Sequence, residues 1–119
     1  MERKENLKLV RIFIGESDKY KHKALYEEVV FLAKRSELAG ATVIRGIMGF
    51  GAHSVVHKSK MIELSNDLPV IIEVVDADDK IRKFILEVEN IFEESKNGGL
   101  ITIEDAEVIL YKPGAKREE

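Results

Sequence analysis

The chain predicts an α+β fold, a ferredoxin-like βαββαβ sandwich in which two helices cover one face of an antiparallel sheet. Three observations predict it. Short β-branched runs and longer amphipathic segments follow one another in the order strand, helix, strand, strand, helix, strand. Glycine or a polar cluster separates most of them. The two strand-helix-strand halves echo each other, which is the split βαβ arrangement of that sandwich.

Residues 7–14, LKLVRIFI, read as the first strand, which stops at Gly15 and enters a polar loop, ESDKYKHK. The period then changes. Leu25, Val29, Leu32 and Ala33 recur at helical spacing, with Glu27, Glu28, Lys34, Arg35 and Glu37 on the other face and Gly40 as the expected left-handed cap. Residues 41–48, ATVIRGIM, form the second strand, and 69–76, PVIIEVVD, the third, with Pro69 tolerated at a strand start. Between them, SKMIELS suits a short extra strand in a long excursion. Asp78 or Asp79 is placed to cap a second helix in which Ile81, Phe84, Ile85, Val88, Ile91 and Phe92 face one way. Asn97-Gly98-Gly99 is expected to end that helix, and LITIEDAEVILYK (100–112) to supply the last strand before a frayed tail, 113–119.

At 119 residues the chain suits a single domain, 1–119, with a core of its own. The net charge of −3 argues against a general basic field for nucleic acid or anionic lipid. The lack of cysteine removes disulfides, thiolate metal sites and cysteine nucleophiles. No apolar run approaches the roughly 20 residues that span a bilayer, and the charged N-terminus has no signal-peptide core, so a cytoplasmic soluble protein is expected.

In such a sheet the first strand lies beside the third, with the second outside the third. Val10, Ile12, Ile14, Ile44, Met48, Ile72 and Val74 would then face the helices. Leu9, Arg11 and Phe13, Val43, Arg45 and Ile47, and Ile71, Glu73 and Val75 would form the open face. That face is too apolar for water and marks an interface. Arg11, Glu73 and Arg45 would place a carboxylate between two guanidinium groups near its middle. A symmetric homo-oligomer packing these faces is expected.

The motif Gly46-Ile47-Met48-Gly49-Phe50-Gly51 has the spacing GxxGxG, the reverse of the dinucleotide-binding order, and lacks the ending of a Walker A loop. Its glycines suit either a phosphate nest of backbone N–H groups or a glycine bulge at a bent strand end. His53 and His57 stand four apart, but Val55-Val56 between them argues against a metal-binding helix. Asp76, Asp78 and Asp79 read as helix-start residues, and Glu104, Asp105 and Glu107 as solvated strand and turn residues. No Ser-His-Asp spacing or nucleophile elbow is visible, so no catalytic residue is assigned.

AGATVIRGIMGFGAHSVVH, with LSNDLPVIIEVVD downstream, resembles the family catalogued as domain of unknown function 190, which is grouped with the PII-like signalling proteins. The likeness runs from LVRIFIGE to EVILYK. It implies a ferredoxin-like homotrimer that packs its sheets toward a central axis and binds an adenine nucleotide (ATP, ADP or AMP) in the clefts between subunits. By position it implies nucleotide contacts at Gly46, Gly49, Phe50 and Gly51, and more loosely at Gly98, Gly99, Leu100, Ile101 and Thr102. Arg45, His53, His57, Lys58 and Lys60 are candidate phosphate partners. The segment 52–60, AHSVVHKSK, holds no tyrosine, and the lysine that nitrogen-regulating members carry after the second-strand glycine is missing. Uridylylation and 2-oxoglutarate sensing are therefore not carried over.

The leading reading is a signal-transduction protein whose 52–68 loop changes state with the nucleotide and regulates a partner protein, a membrane transporter being one candidate. No cofactor is required and no metal or nucleic acid is expected. The alternatives are a small oligomeric enzyme using the same cleft, with His53 or His57 as acid or base, and a metal-handling protein.

Overall fold

The computed structural model describes residues 6–51 and 67–115. In chain order the elements are β1 (Leu7–Gly15), β2 (Lys19–Tyr20), β3 (Lys23–Ala24), α1 (Leu25–Arg35), β4 (Thr42–Arg45), β5 (Pro69–Ala77), α2 (Asp78–Ser95) and β6 (Leu100–Ala106). The sheet runs β4-β5-β1-β6, antiparallel throughout, and both helices pack on one face of it. β2 and β3 form a separate hairpin with a two-residue loop, inserted between β1 and α1. This is the expected ferredoxin-like sandwich with one added hairpin. Among the described residues no helix is long and apolar enough to cross a membrane.

Alternation on the two central strands builds the core. Val10, Ile12 and Ile14 of β1 and Val70, Ile72 and Val74 of β5 are buried against Leu25, Val29, Leu32 and Ala33 of α1 and Ile81, Phe84, Val88 and Ile91 of α2. Each large side chain removed from water here contributes roughly 1.5–3 kcal/mol. The buried Asp76 carboxylate accepts from the backbone N–H groups of Ala39 (2.8 Å) and Ala77 (2.7 Å), which ties the α1–β4 connection to the end of β5. Two backbone bonds satisfy it in place of water.

Several boundaries differ from the sequence expectation. α1 ends at Arg35, and the left-handed residue is Glu37 (φ 57°) rather than Gly40. There Leu38 N–H turns back to Ala33 O (3.2 Å) and Lys80 Nζ donates to Glu37 O (2.9 Å), so the reversal is complete before Gly40. Ala77, not Asp78 or Asp79, precedes α2, and no side chain caps it. Asp78 N–H instead donates to Asn6 O (3.0 Å), while the two aspartates sit in the first turn, where the helix dipole favours them. α2 ends through Lys96 in the left-handed conformation, one residue before Asn97-Gly98-Gly99.

β4 is shorter than 41–48 because its partner begins at Pro69. Gly46 N–H donates to Pro69 O (2.7 Å), but a proline has no N–H to return, so the ladder stops there. β6 ends at Ala106, opposite Leu7 where β1 begins, and residues 107–112 lie outside the sheet. The SKMIELS strand falls outside the described residues, as does the end of the tail.

The open face needs one correction. Val43 is opposite Ile72 and Arg45 opposite Val70, both of which face the helices, whereas Thr42 opposes Glu73 and Ile44 opposes Ile71. Directly opposed residues share a face, so Val43 and Arg45 belong to the helix side and Thr42 and Ile44 to the open side. Ile47 and Met48 lie past the ladder, Ile47 being 95% exposed. Leu9, Arg11, Phe13, Ile71, Glu73 and Val75 do line the open face, each half-buried. At its centre Arg11 Nε donates to Glu73 Oε2 (2.8 Å) and Arg11 Nη1 to Glu104, so Glu104 fills the place expected of a second pair with Arg45. The hydrogen bond to Glu73, with the Glu104 charge behind it, holds the Arg11 guanidinium above its ordinary pKa.

Candidate functional site

One end of the sheet collects the C-terminal ends of β1 and β4 and the starts of β5 and β6: Gly15 lies opposite Pro69, Arg45 opposite Val70 and Phe13 opposite Leu100. The Pro69 ring is a wedge at this end. A Cβ on Gly46 would lie 2.7 Å from Pro69 Cγ, and one on Gly49, whose φ is +153°, would lie 3.1 Å from it. Close approach therefore accounts for two of the three motif glycines. Among the described residues nothing lies within 4 Å of a Cβ on Gly51, and Phe50 beside it is 81% exposed.

At the β6 edge the glycines answer to a different constraint. A Cβ on Gly99 would meet Phe13 O at 2.9 Å and Phe92 Cε2 at 2.8 Å, so this residue lets β6 come in against β1 and α2. Leu100 and Thr102 lie opposite Phe13 and Arg11 and so share the open face, whereas Ile101 lies opposite Ile12 and packs against the core. Of the candidate residues on this strand, Ile101 can offer only its backbone to a ligand.

The two glycine sites thus share one end of the sheet but stand on its opposite edges. Three inter-strand steps of about 4.8 Å separate β4 from β6, roughly 14 Å in all. One chain does not bring residues 46–51 and 98–102 together. Arg45 reaches across the end and pairs with Glu16 (Nη2–Oε2 2.5 Å), which joins the β4 and β1 termini. His53 and Lys58, with His57 and Lys60, lie outside the described residues. No group of three or more His, Cys, Asp or Glu that could hold a metal occurs among the described residues.

Sequence reasoning missed two features of this end. Asp67, at the return of the excursion, sits on Gly15: a Cβ there would lie 2.5 Å from its Oδ1, which also accepts from Ser17 N–H (3.2 Å). Asp18 Oδ2 accepts from Gly15 N–H (2.8 Å) and closes the turn that follows β1. The second is the β2–β3 hairpin, whose loop residues Lys21 (φ 48°) and His22 (φ 68°) are both left-handed. A turn of this kind normally uses Asn-Gly, so nothing in Lys-His announces it.

A family model described as DUF190, Uncharacterized ACR, matches residues 7–108. The UPF0166 protein of Aquifex aeolicus (strain VF5) is 40% identical over 102 residues, which cover 86% of this chain and 92% of that relative. The UPF0166 protein of Methanocaldococcus jannaschii is 37% identical over 101 residues, 85% of this chain and 90% of the relative. Among solved structures, CPII from Thiomonas intermedia K12, bound to ADP, AMP and acetate, superposes with a TM-score of 0.61 at 19% identity, covering 86% of this chain and 87% of that one. A candidate PII-like signaling protein from Thermus thermophilus gives 0.61 at 16% identity, covering 87% and 89%. At such identities the two structures share the fold. The chain belongs to the DUF190 (UPF0166) family, and its fold is that of the PII-like proteins.

Proposed function

We propose that this protein is a PII-like regulator that binds an adenine nucleotide between copies of itself. The observation that carries the reading is the separation of the two glycine sites onto opposite edges at one end of the sheet. A ring of copies packed on their open faces brings the 46–51 edge of one beside the 98–102 edge of the next. A homotrimer, the assembly that the family resemblance implies, does this for every copy and leaves no edge over. Half-buried Leu9, Phe13, Ile71 and Val75, with exposed Ile44 and Leu100, supply the apolar surface for the contact. Exposed Phe50 offers an aromatic face to the ligand, and Arg45, freed from Glu16, a charge for its phosphate. CPII, which shares the fold, is bound to ADP and AMP. Nucleotide binding would shift the 52–68 segment between two states and so change its contact with a regulated protein.

Sedimentation velocity at micromolar protein, with calorimetric titration of ATP, ADP, AMP and cyclic nucleotides, tests this. Trimer with saturable heat from one of them is the expected result. Monomer together with no heat from any nucleotide overturns it.

A further inference from the structure

We propose that the β2–β3 hairpin, residues 19–24, is a phosphate-binding arm that extends the 98–100 side of the site. Three observations converge on it. The first is position: Asn97 Nδ2 donates to Lys19 O (2.7 Å) and Tyr20 OH to Glu94 Oε2 (3.2 Å), which fixes the hairpin to two residues of the stretch that leads into Gly98-Gly99 and β6. The β1 strand that feeds the hairpin passes directly beside Gly99 at Phe13 O.

The second is charge. Lys19, Lys21, His22 and Lys23 are four of five consecutive residues, and all are exposed. Lys21 has a structural task, since it pairs with Glu94 (3.4 Å) at the end of a helix whose last turn carries no basic residue. Among the described residues no carboxylate pairs with Lys19, His22 or Lys23. The third is strain: two consecutive non-glycine residues hold positive φ in the loop, and both carry basic side chains where asparagine and glycine would sit without strain. A merely connecting turn has no need of that arrangement.

Lys19 lies opposite Ala24 and Lys23 opposite Tyr20, so the two lysines leave opposite faces of the ribbon and flank its Lys21-His22 tip. Ammonium groups on long exposed side chains recognise phosphate oxygens, whatever the rest of the ligand is. That the phosphate belongs to a nucleotide rests on the reading above; inorganic polyphosphate has the same chemistry, and the two are separated by experiment. The full-length protein and its Lys19→Gln/Lys23→Gln variant, matched by circular dichroism melts, are titrated with tripolyphosphate, ATP and AMP at low and high salt. The variant should bind tripolyphosphate and ATP about tenfold more weakly, with a smaller change for AMP and a difference that shrinks at high salt. Loss with tripolyphosphate while no nucleotide binds either protein keeps the arm and retires the nucleotide reading. Equal ATP affinity in the two proteins keeps the nucleotide reading and overturns the arm, as does the absence of any difference with tripolyphosphate.

Discussion

Gly99 and Gly51 stand at the same end of the sheet on opposite edges, and a side chain would meet different surroundings at each. At Gly99 it would strike the Phe13 carbonyl oxygen and the Phe92 ring; at Gly51 it would meet none of the described residues within 4 Å. One glycine is there because β6 must approach β1. No contact among the described residues accounts for the other. Substitution at the two edges should therefore divide stability from binding.

The largest effect is expected at Gly99→Val. The obstructing atom on one side is backbone, held in the β1–β6 ladder, and cannot swing away. A loss of about 3 kcal/mol is expected from overpacking at a fixed backbone. Urea unfolding measures it, and a loss below about 1 kcal/mol would show that β6 can shift outward at little cost.

Gly49→Val comes next and crosses the comparison. Its positive φ and its contact with Pro69 cost about 1–3 kcal/mol of stability, yet it lies outside the ladder that carries the open face. Nucleotide affinity should fall further than trimer content does, as read by titration and sedimentation on one sample. Equal loss of both would place Gly49 in the assembly alone. Gly51→Ala sharpens the same point: stability should change by less than about 0.5 kcal/mol while nucleotide affinity drops, and unchanged affinity would remove Gly51 from the site.

How much of this was legible in the sequence depended on how firmly packing fixed each segment. LVRIFI and VIIEVVD alternate over long, central strands, and their faces were read correctly. TVIR is a four-residue edge strand with two apolar residues in succession, so nothing in it sets the phase, and the reading put Val43 and Arg45 on the wrong face. Both helix stops came earlier than glycine suggested for a related reason: Glu37 and Lys96 took the left-handed positions that glycine usually takes, and the local bonds Leu38 N–H to Ala33 O and Asn97 N–H to Phe92 O close the turns there. The glycine motifs fall at one end of the sheet. Their separation onto opposite edges follows from the strand order.

The hairpin offers a smaller change of opposite sign. His22→Gly relieves a left-handed side chain but adds freedom to the unfolded chain, a net gain of about 0.5 kcal/mol. A thermal melt should move upward by about a degree or more, and a downward shift would mean that His22 makes a contact worth more than its strain.

The smallest effect is expected at the far end of β6, where surface charge replaces packing. Lys8 Nζ donates to Asp105, and that hydrogen bond, helped by the lysine charge, holds the Asp105 carboxyl below the ordinary aspartate value of about 3.9. A carboxyl depressed in the folded state adds stability that is present above the unfolded value and is lost as pH falls through the folded one. The side chain is 89% exposed, so solvent screens the pair, and Lys8 keeps Asp78 at 4.0 Å when Asp105 is removed. Asp105→Asn should thus leave stability at pH 7 nearly unchanged, and the variant and parent curves should merge on acidification below about pH 4. A gap between them that widens toward acid would mean that Asp105 acts through something other than its charge on Lys8.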